Sequence, residues 1–434
     1  MPSDTLFVVR AAILSIGTEL VTGQTIDTNS AWLSAELTRL GVSVERHVTV
    51  GDELVPIRDA IRTAIDQSDL VVLTGGLGPT PDDLTRQGLA EAVGQLLVED
   101  AGALGQIRDF FRRRERDMPE SNRLQAMIPF GCEIIPNLRG TAPGIQYPHP
   151  HGALFAFPGV PGEMKPMFQD TVLPWVRSRI GAATTRSASL LCYGFSEALV
   201  GERLADLMAR GRNPSVGTTA SRTILAVRIL ARGNNADQAQ RLLEADQAEI
   251  RKRLGDAVFG EGEETLQAAV ARLLVATGAT VATAESCTGG LLTKCLTDIP
   301  GSSEYFLRGC VAYSNDAKIE LLGVPTTFID AHGAVSEEVA RAMAAGCRAA
   351  ARSDLAISIT GVAGPGGGTD EKPVGLVYIA LAHAGGVEIR RQLFGETVSR
   401  EEIRDRACKY ALNLLRVHLL HSAEKPKTGV STPP

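Results

Sequence analysis

The stretch Ala284-Glu285-Ser286-Cys287-Thr288-Gly289-Gly290 sets a hydroxyl beside a thiol where an apolar run, Val281 to Ala284, gives way to small residues. The pattern reads as strand, tight turn and helix, which puts Ser286 among the backbone N–H groups that a helix start leaves unpaired. A serine so placed can attack a carbonyl carbon while those N–H groups stabilise the oxyanion. It needs a base. No Gly-x-Ser-x-Gly elbow is present, and the seven histidines lie far from a triad arrangement. Tyr313-Ser314-Asn315-Asp316-Ala317-Lys318 is the next set of proton carriers, with Tyr313 ending an apolar run from Gly309 and Lys318 near the start of a helix. Desolvation disfavours the charged form of a lysine, so a buried Lys318 can take the proton of Ser286. The same residues admit a structural reading: Lys318 on an exposed helix face and Ser286 as a helix cap.

A second glycine-rich turn, Gly361 to Thr369, follows the apolar strand Leu355–Thr360. Gly364, Gly366, Gly367, Gly368 and Thr369 present N–H groups with few β-carbons in the way, which suits a phosphate monoester; a plain surface loop is the alternative. Neither turn is followed by the Gly-Lys-Ser/Thr of a P-loop. Arg400 and Arg404 share one face of the last helix. Arginine suits a phosphate or a developing negative charge, and ion pairs with Glu401 or Asp405 are the other reading. Nearer the N-terminus, Gly17-Thr18-Glu19 ends the strand Ala11–Ile16, and Gly75, Gly76 and Gly78 follow the strand Leu70–Leu73. These glycines allow a phosphate to approach closely. Asp82 and Asp83 come next, either as divalent-metal ligands or as N-caps. Glu19 and Asp27 lie at a neighbouring strand end and can join them.

Positioning such residues takes more than one core. The 434 residues suggest two to four domains. Residues 11–180 alternate strand and helix, which implies a parallel sheet with helices on both faces and ligands at the carboxyl ends of its strands. Residues 186–260 read as a small α+β unit, with strands Ser187–Tyr193 and Thr223–Ala231 and helices Glu197–Met208 and Asp237–Leu254. Residues 262–422 form a second α/β segment. The expected fold class is α/β: two three-layer α/β domains joined by a small α+β domain. Residues 423–434 are polar and proline-containing, and are expected to be disordered. A net charge of −6 argues against broad nucleic-acid or membrane binding. The seven cysteines show no CxxC spacing, so neither a disulfide framework nor a structural zinc site is expected; Cys287 alone merits a reactive reading. No apolar stretch reaches about 18 residues and no signal sequence is evident, so a cytoplasmic protein is expected.

The strings AESCTGG, PGSSEYFLRGCVAYSNDAK, HGAVSEE and ITGVAGPGGGTDEKPVG, with the segment from Arg400 to Leu412, resemble the C-terminal domain of the CinA family, the PncC-type nicotinamide mononucleotide amidases. The resemblance implies hydrolysis of nicotinamide mononucleotide to nicotinic acid mononucleotide and ammonia, with no cofactor. It implies Ser286 as nucleophile, Tyr313 and Lys318 as its proton-handling partners in unresolved order, and oxyanion donors near Thr288 and Gly289. A pocket around Ser286, Thr360 and the Gly364–Thr369 loop is implied as well. Gly17-Thr18-Glu19-Leu20, Gly23, Asp27-Thr28-Asn29 and TGGLGPTPDD resemble the MoaB-like, molybdopterin-binding superfamily, and NRLQAMIPFG, NLRGTAPG and FPGVPGEM narrow this to the N-terminal domain of full-length CinA proteins. That resemblance implies a nucleotide site on Gly17, Glu19, Asp27, Asn29, Gly75, Gly76 and Gly78, with a divalent metal ion of unknown identity on Asp82 and Asp83. Some members cleave ADP-ribose to AMP and ribose 5-phosphate; others bind without turnover. The middle unit corresponds to a KH-type connector, but no clear GxxG loop is present, so direct nucleic-acid binding is not expected. Small-molecule nucleotides and a second copy in a homodimer are the partners implied. Two readings compete: a competence- and DNA-damage-linked regulatory protein without turnover, and a molybdopterin-binding protein.

Overall fold

The computed structural model describes residues 9–180, 184–221 and 223–423, so the expectation of a disordered tail falls on residues outside those described. Two compact units emerge. The first holds the residues up to Ser187 with Arg210–Ser215 and Ile229–Asp246; the second holds Ala188–Ala209, Val216–Arg228 and the residues from Gln247 onward.

In the first unit β1 (Arg10–Ile16) lies between β2 (Ser43–Val50) and β3 (Leu70–Thr74), all parallel. After the short pair β4 (Leu97–Glu99) and β5 (Met127–Pro129) come β6 (Glu133–Ile135), β7 (Gly144–His149) and β8 (Gly152–Phe157), and the sheet order is β2-β1-β3-β8-β7-β6. Strand β8 is parallel to β3, whereas β7 and β6 run antiparallel, so the sheet is mixed rather than wholly parallel. Helices α1 (Thr18–Val21), α2 (Thr28–Arg39), α3 (Leu54–Gln67), α4 (Thr85–Val93), α5 (Ala101–Arg112) and α6 (Pro161–Ile180) flank it. The period-2 pleat explains the three layers. Ile13, Val72 and Phe155 face Leu33 and Leu37 of α2 and Met164 and Phe168 of α6. Ala12, Leu14, Val71 and Leu73 face Ile57 and Ile61 of α3 and Leu89 of α4.

The 186–260 segment supplies a four-stranded sheet of order β10-β11-β9-β12, built from β9 (Thr184–Cys192), β10 (Ser215–Ser221), β11 (Ile224–Gly233) and β12 (Val258–Glu261). Its helices are α7 (Glu197–Arg203), shorter than the expected span to Met208, and α8 (Ala236–Leu254).

In the second unit β13 (Val281–Glu285) pairs in parallel with β14 (Phe306–Val311) and β15 (Leu355–Gly361), while β16 (Leu376–His383) and β17 (Gly386–Leu393) continue antiparallel. Helices α9 (Leu266–Thr277), α10 (Leu291–Thr297), α11 (Asn315–Leu322), α12 (Thr326–His332), α13 (Glu337–Ala351) and α14 (Arg400–Ala423) complete it. Leu274, Leu296, Ile403, Ala407 and Leu415 cover one face of the sheet over Val281, Ile357 and Val377. On the other face Ala282, Ala284 and Ala356 receive Met343 and Cys347 of α13. Among the described residues no helix is long and apolar enough to cross a membrane.

Candidate active site and nucleotide pocket

Strand β13 is buried throughout and delivers Ser286 at its end, where the Ser286 N–H donates to the Ile359 carbonyl at 2.9 Å. The chain does not enter a helix at once, as the sequence pattern suggests: Ser286–Gly290 is a turn, and α10 starts at Leu291. The cause is Glu285. Its fully buried carboxylate accepts from the N–H groups of Gly290 (3.0 Å), Leu292 (3.0 Å) and Thr293 (2.7 Å) and from Thr293 Oγ1 (2.8 Å). The start of α10 is thus occupied by an internal anion and is not open to a substrate oxyanion. Within the turn, the Gly289 N–H donates to the Ser286 carbonyl at 3.1 Å. Cys287 and Thr288 keep N–H groups with no acceptor in another residue among those described, and these are the donors that the turn leaves for an oxyanion. Thr288 Oγ1 is buried and has no hydrogen-bond partner among the described residues. Glu285 was missed in the sequence. Its signal is an acid closing a strand whose other residues are all apolar or small.

Lys318, on the first turn of α11, is 1% exposed. Its Nζ lies 3.2 Å from Ser286 Oγ and also contacts the carbonyls of Ala312 (2.9 Å) and Tyr313 (3.2 Å). Burial holds the amine below the ordinary lysine range. This removes the exposed-helix alternative for Lys318, and Ser286 caps no helix. Cys287 is a different case: burial pushes its thiol up to about 12, so it is no thiolate at neutral pH. The Tyr313 phenol makes no hydrogen bond to Ser286 or Lys318 among the described residues. The residue lies two positions beyond β14, is 61% exposed, and its hydroxyl accepts from Arg400 Nη2 at 3.0 Å. Only its backbone carbonyl touches the amine.

Helix α14 ties the surrounding loops together. Arg400 Nη1 donates to the Gly364 carbonyl (2.7 Å), and Arg404 Nη2 donates to the Thr288 carbonyl (2.7 Å). Neither arginine makes an ion pair with Glu401 or Asp405 among the described residues, and Arg404 Nε is buried without a partner. Two guanidinium groups therefore stand beside the Ser286 turn, each bonded to a backbone carbonyl and neither in an ion pair among the described residues. Gly364 is buried with φ of 70° and has a Val374 methyl 2.6 Å from where a β-carbon would stand, so the backbone path needs glycine. Gly366, Gly367, Gly368 and Thr369 are exposed. Thr360 is buried, and its hydroxyl donates to the Ala334 carbonyl at 2.8 Å, a bond that braces the site from below.

A separate cavity of about 510 Å³ lies in the first unit, at the carboxyl ends of β1 and β3. Gly17, Glu19, Asp27, Asn29, Gly75, Gly76, Gly78, Asp82 and Asp83 all line it. Gly23 does not. Gly75 has φ of 102°, and a β-carbon there would stand 2.1 Å from the Ile16 carbonyl oxygen. The loop is held from behind: Arg86 donates to the carbonyls of Leu77 (2.6 Å) and Gly78 (2.8 Å), and Thr85 Oγ1 donates to that of Gly75 (2.8 Å). Burial pulls the Arg86 guanidinium down to about 10. The Asp83 carboxylate accepts from the N–H groups of Gly78 and Thr80 (both 2.8 Å) and from the Thr80 hydroxyl. Asp27 accepts from the Ser30 N–H at 2.9 Å as the N-cap of α2; burial alone would raise its carboxyl, but hydrogen bonds from Ser30 and Ser15 outweigh that and hold it low. Asn29 donates to Thr74 Oγ1 (3.1 Å) and to the Gly159 carbonyl (2.8 Å), while its Oδ1 is buried without a partner among the described residues. For the implied divalent ion, Asp83 is the acid most engaged elsewhere, because both its oxygens already accept from the loop. Asp82 and Glu19 are exposed at the cavity, and an ion held largely by phosphate oxygens and water would need only one or two carboxylates.

Residues 263–419 match the family model described as "CinA C-terminal domain", residues 187–260 "Damage-inducible protein CinA KH domain", and residues 12–178 "Probable molybdopterin binding domain". A CinA-like protein of Geobacter sulfurreducens is 44% identical over 414 residues, which cover 95% of this chain and 100% of that one. The chain belongs to the CinA family. A CinA-like protein of Gloeobacter violaceus is also 44% identical, over 95% of this chain and 97% of its own. Among solved structures, a competence/damage inducible protein from Agrobacterium tumefaciens is 42% identical and covers 36% of this chain and 97% of its own, with a TM-score of 0.34.

Proposed function

We propose that this CinA-family chain is a serine amidohydrolase acting on nicotinamide mononucleotide. The observation that carries the reading is the buried Lys318 amine 3.2 Å from Ser286 Oγ. The neutral amine takes the hydroxyl proton as Oγ attacks the carboxamide carbon. The carbonyl oxygen, now an anion, is met by the N–H groups of Cys287 and Thr288, which have no acceptor in another described residue. Collapse expels ammonia with the proton that Lys318 carries and leaves an acyl ester on Ser286. Water, deprotonated by the same amine, then releases the acid. Arg400 and Arg404, which form no ion pair among the described residues, favour a substrate with a phosphate and so a nucleotide among carboxamides.

In the amino-terminal cavity the glycine loop and the orphaned Asn29 Oδ1 support a nucleotide of the ADP-ribose class. A divalent cation on Asp82 and Glu19 would supply charge neutralisation at the phosphates. The chain's own residues do the holding: Arg86 and Asp83 fix the loop, and the N–H groups of Gly76 and Leu77, which have no acceptor among the described residues, face no competing partner for a phosphate. Ammonia release from nicotinamide mononucleotide tests the main reading; a rate no higher than that of Ser286→Ala overturns it. A regulatory role linked to competence, suggested by relatives' names, would leave that rate at background.

A further inference from the structure

Three donor side chains converge at the end of β16 away from the glycine loop. His383 closes β16, Glu388 is on β17, and His418 lies in the second half of α14. Glu388 Oε1 is 3.8 Å from His383 Nε2 and 3.3 Å from His418 Nδ1, and the two imidazole centroids are 4.6 Å apart. One ligand atom from each of the three lies within 4.8 Å of the other two. Two imidazoles and a carboxylate suit a zinc-class ion. Bonds of about 2.0–2.1 Å in a tetrahedron set neighbouring ligand atoms about 3.3 Å apart. The Glu388–His418 edge has that length already, the Glu388–His383 edge needs about half an ångström of adjustment, and the His383–His418 edge closes from within 4.8 Å.

The surroundings orient the donors. Glu388 Oε2 accepts from Arg390 Nη2 at 3.1 Å, which turns Oε1 toward both rings. The neighbouring Val387 carbonyl accepts from Arg341 Nη1 at 3.1 Å and steadies the strand. The side chains of His383, Glu388 and His418 are 23%, 34% and 16% exposed, so an ion can enter yet finds a sheltered seat.

We propose that His383, Glu388 and His418 form a site for one divalent transition-metal ion, with water completing the coordination. Entry of the ion has a structural consequence. His383 Nδ1 accepts from the Gly385 N–H at 3.1 Å, whereas an imidazole that ligates through Nε2 carries its proton on Nδ1. The Gly385 N–H must turn away, which a glycine pair in the hairpin turn tolerates. Seven steps of about 3.4 Å along β16 put His383 about 24 Å from Leu376, beside the glycine loop. The ion is therefore architectural: it pins the far half of α14, whose first turns carry Arg400 and Arg404, to the β16–β17 hairpin.

Co2+ titrated into the chelator-stripped full-length chain tests this. The expected result is one ion per chain with the visible ligand-field bands of a four-coordinate nitrogen–oxygen site, displaced by Zn2+. An ion held on phosphate-site carboxylates alone gives only weak octahedral bands. His418→Gln should lose the bands and one equivalent of uptake. Zn2+ at a hundredfold excess over its Kd should raise the Tm of the parent by about 5 °C and leave that of His418→Gln unmoved. A His418→Gln chain with the parent's circular dichroism and the parent's bands overturns the proposal, as does a parent chain that never develops them. If His418→Gln fails to fold, Glu388→Gln decides, since it removes the charge at constant volume.

Discussion

Lys318 is buried, lacks a carboxylate partner among the described residues, and is held by carbonyl oxygens and one serine hydroxyl. An ammonium in that setting is poorly compensated, so desolvation lowers the proton affinity of the amine. The proposed reaction consumes the neutral form. Hydrolysis should therefore rise with pH through the folded-state pKa of Lys318 and level off above it, with the rising limb below the ordinary lysine value of 10.5. Stability moves in the same direction: the unfolded chain binds the proton more tightly, so stability increases with pH between the lowered and the ordinary values. A kcat profile and urea titrations at several pH values check both signs. Lys318→Ala should lower kcat by about 10²- to 10⁴-fold and leave KM nearly unchanged, since it acts on proton transfer. The arginines predict the opposite pattern. Arg404→Gln should raise KM for nicotinamide mononucleotide by about tenfold, the worth of one hydrogen bond to a charged group, and should hardly affect the riboside that lacks the phosphate. Equal losses on both substrates would assign Arg404 to holding the Thr288 carbonyl alone.

The elements explain why these side chains meet. Ser286 is at the end of a central strand, Lys318 is on a helix that follows the neighbouring edge strand, and α14 crosses both glycine turns. Glu285 makes the arrangement rigid, because one carboxylate collects three N–H groups and a hydroxyl at the start of α10. Glu285→Gln keeps the volume but replaces one acceptor oxygen with an NH2 aimed at donors. It should cost about 1–3 kcal/mol in urea unfolding and should lower kcat by loosening the turn that carries Ser286. Much of this was legible in the sequence. Apolar runs ending in glycine-rich turns marked β1, β3, β13 and β15, and the Leu33–Leu37 and Ile57–Ile61 spacings marked α2 and α3. What was not legible has physical causes. The antiparallel β6 and β7 are short, and β7 contains Pro148, so neither carries a strong alternation. The delayed start of α10 depends on a buried acid finding its donors, which no periodicity reports. The exposure of Tyr313 follows from the chain leaving β14 two residues early, a tertiary fact.

At the scale of the molecule, each compact unit has its own core and its own glycine-rich loop at parallel strand ends, which is what the two proposed chemistries require. In the first unit the neighbouring acids Asp82 and Asp83 were read from the sequence as a pair, and the structure separates them. Asp83 is spent on Gly78 and Thr80, while Asp82 is exposed. Asp83→Asn should therefore disorder the glycine loop and abolish binding of an ADP-ribose-class nucleotide even in the presence of a chelator. Asp82→Asn should leave chelator-independent binding intact and remove only the dependence of binding or cleavage on a divalent ion. Calorimetric titration of both variants, with and without metal, separates the two. Each variant should retain the ammonia release proposed for Ser286, because no residue of the serine site is altered. If Asp82→Asn and Asp83→Asn lost nucleotide binding equally without metal, the loop-holding role of Asp83 would be wrong, and both acids would have to contact the ligand directly.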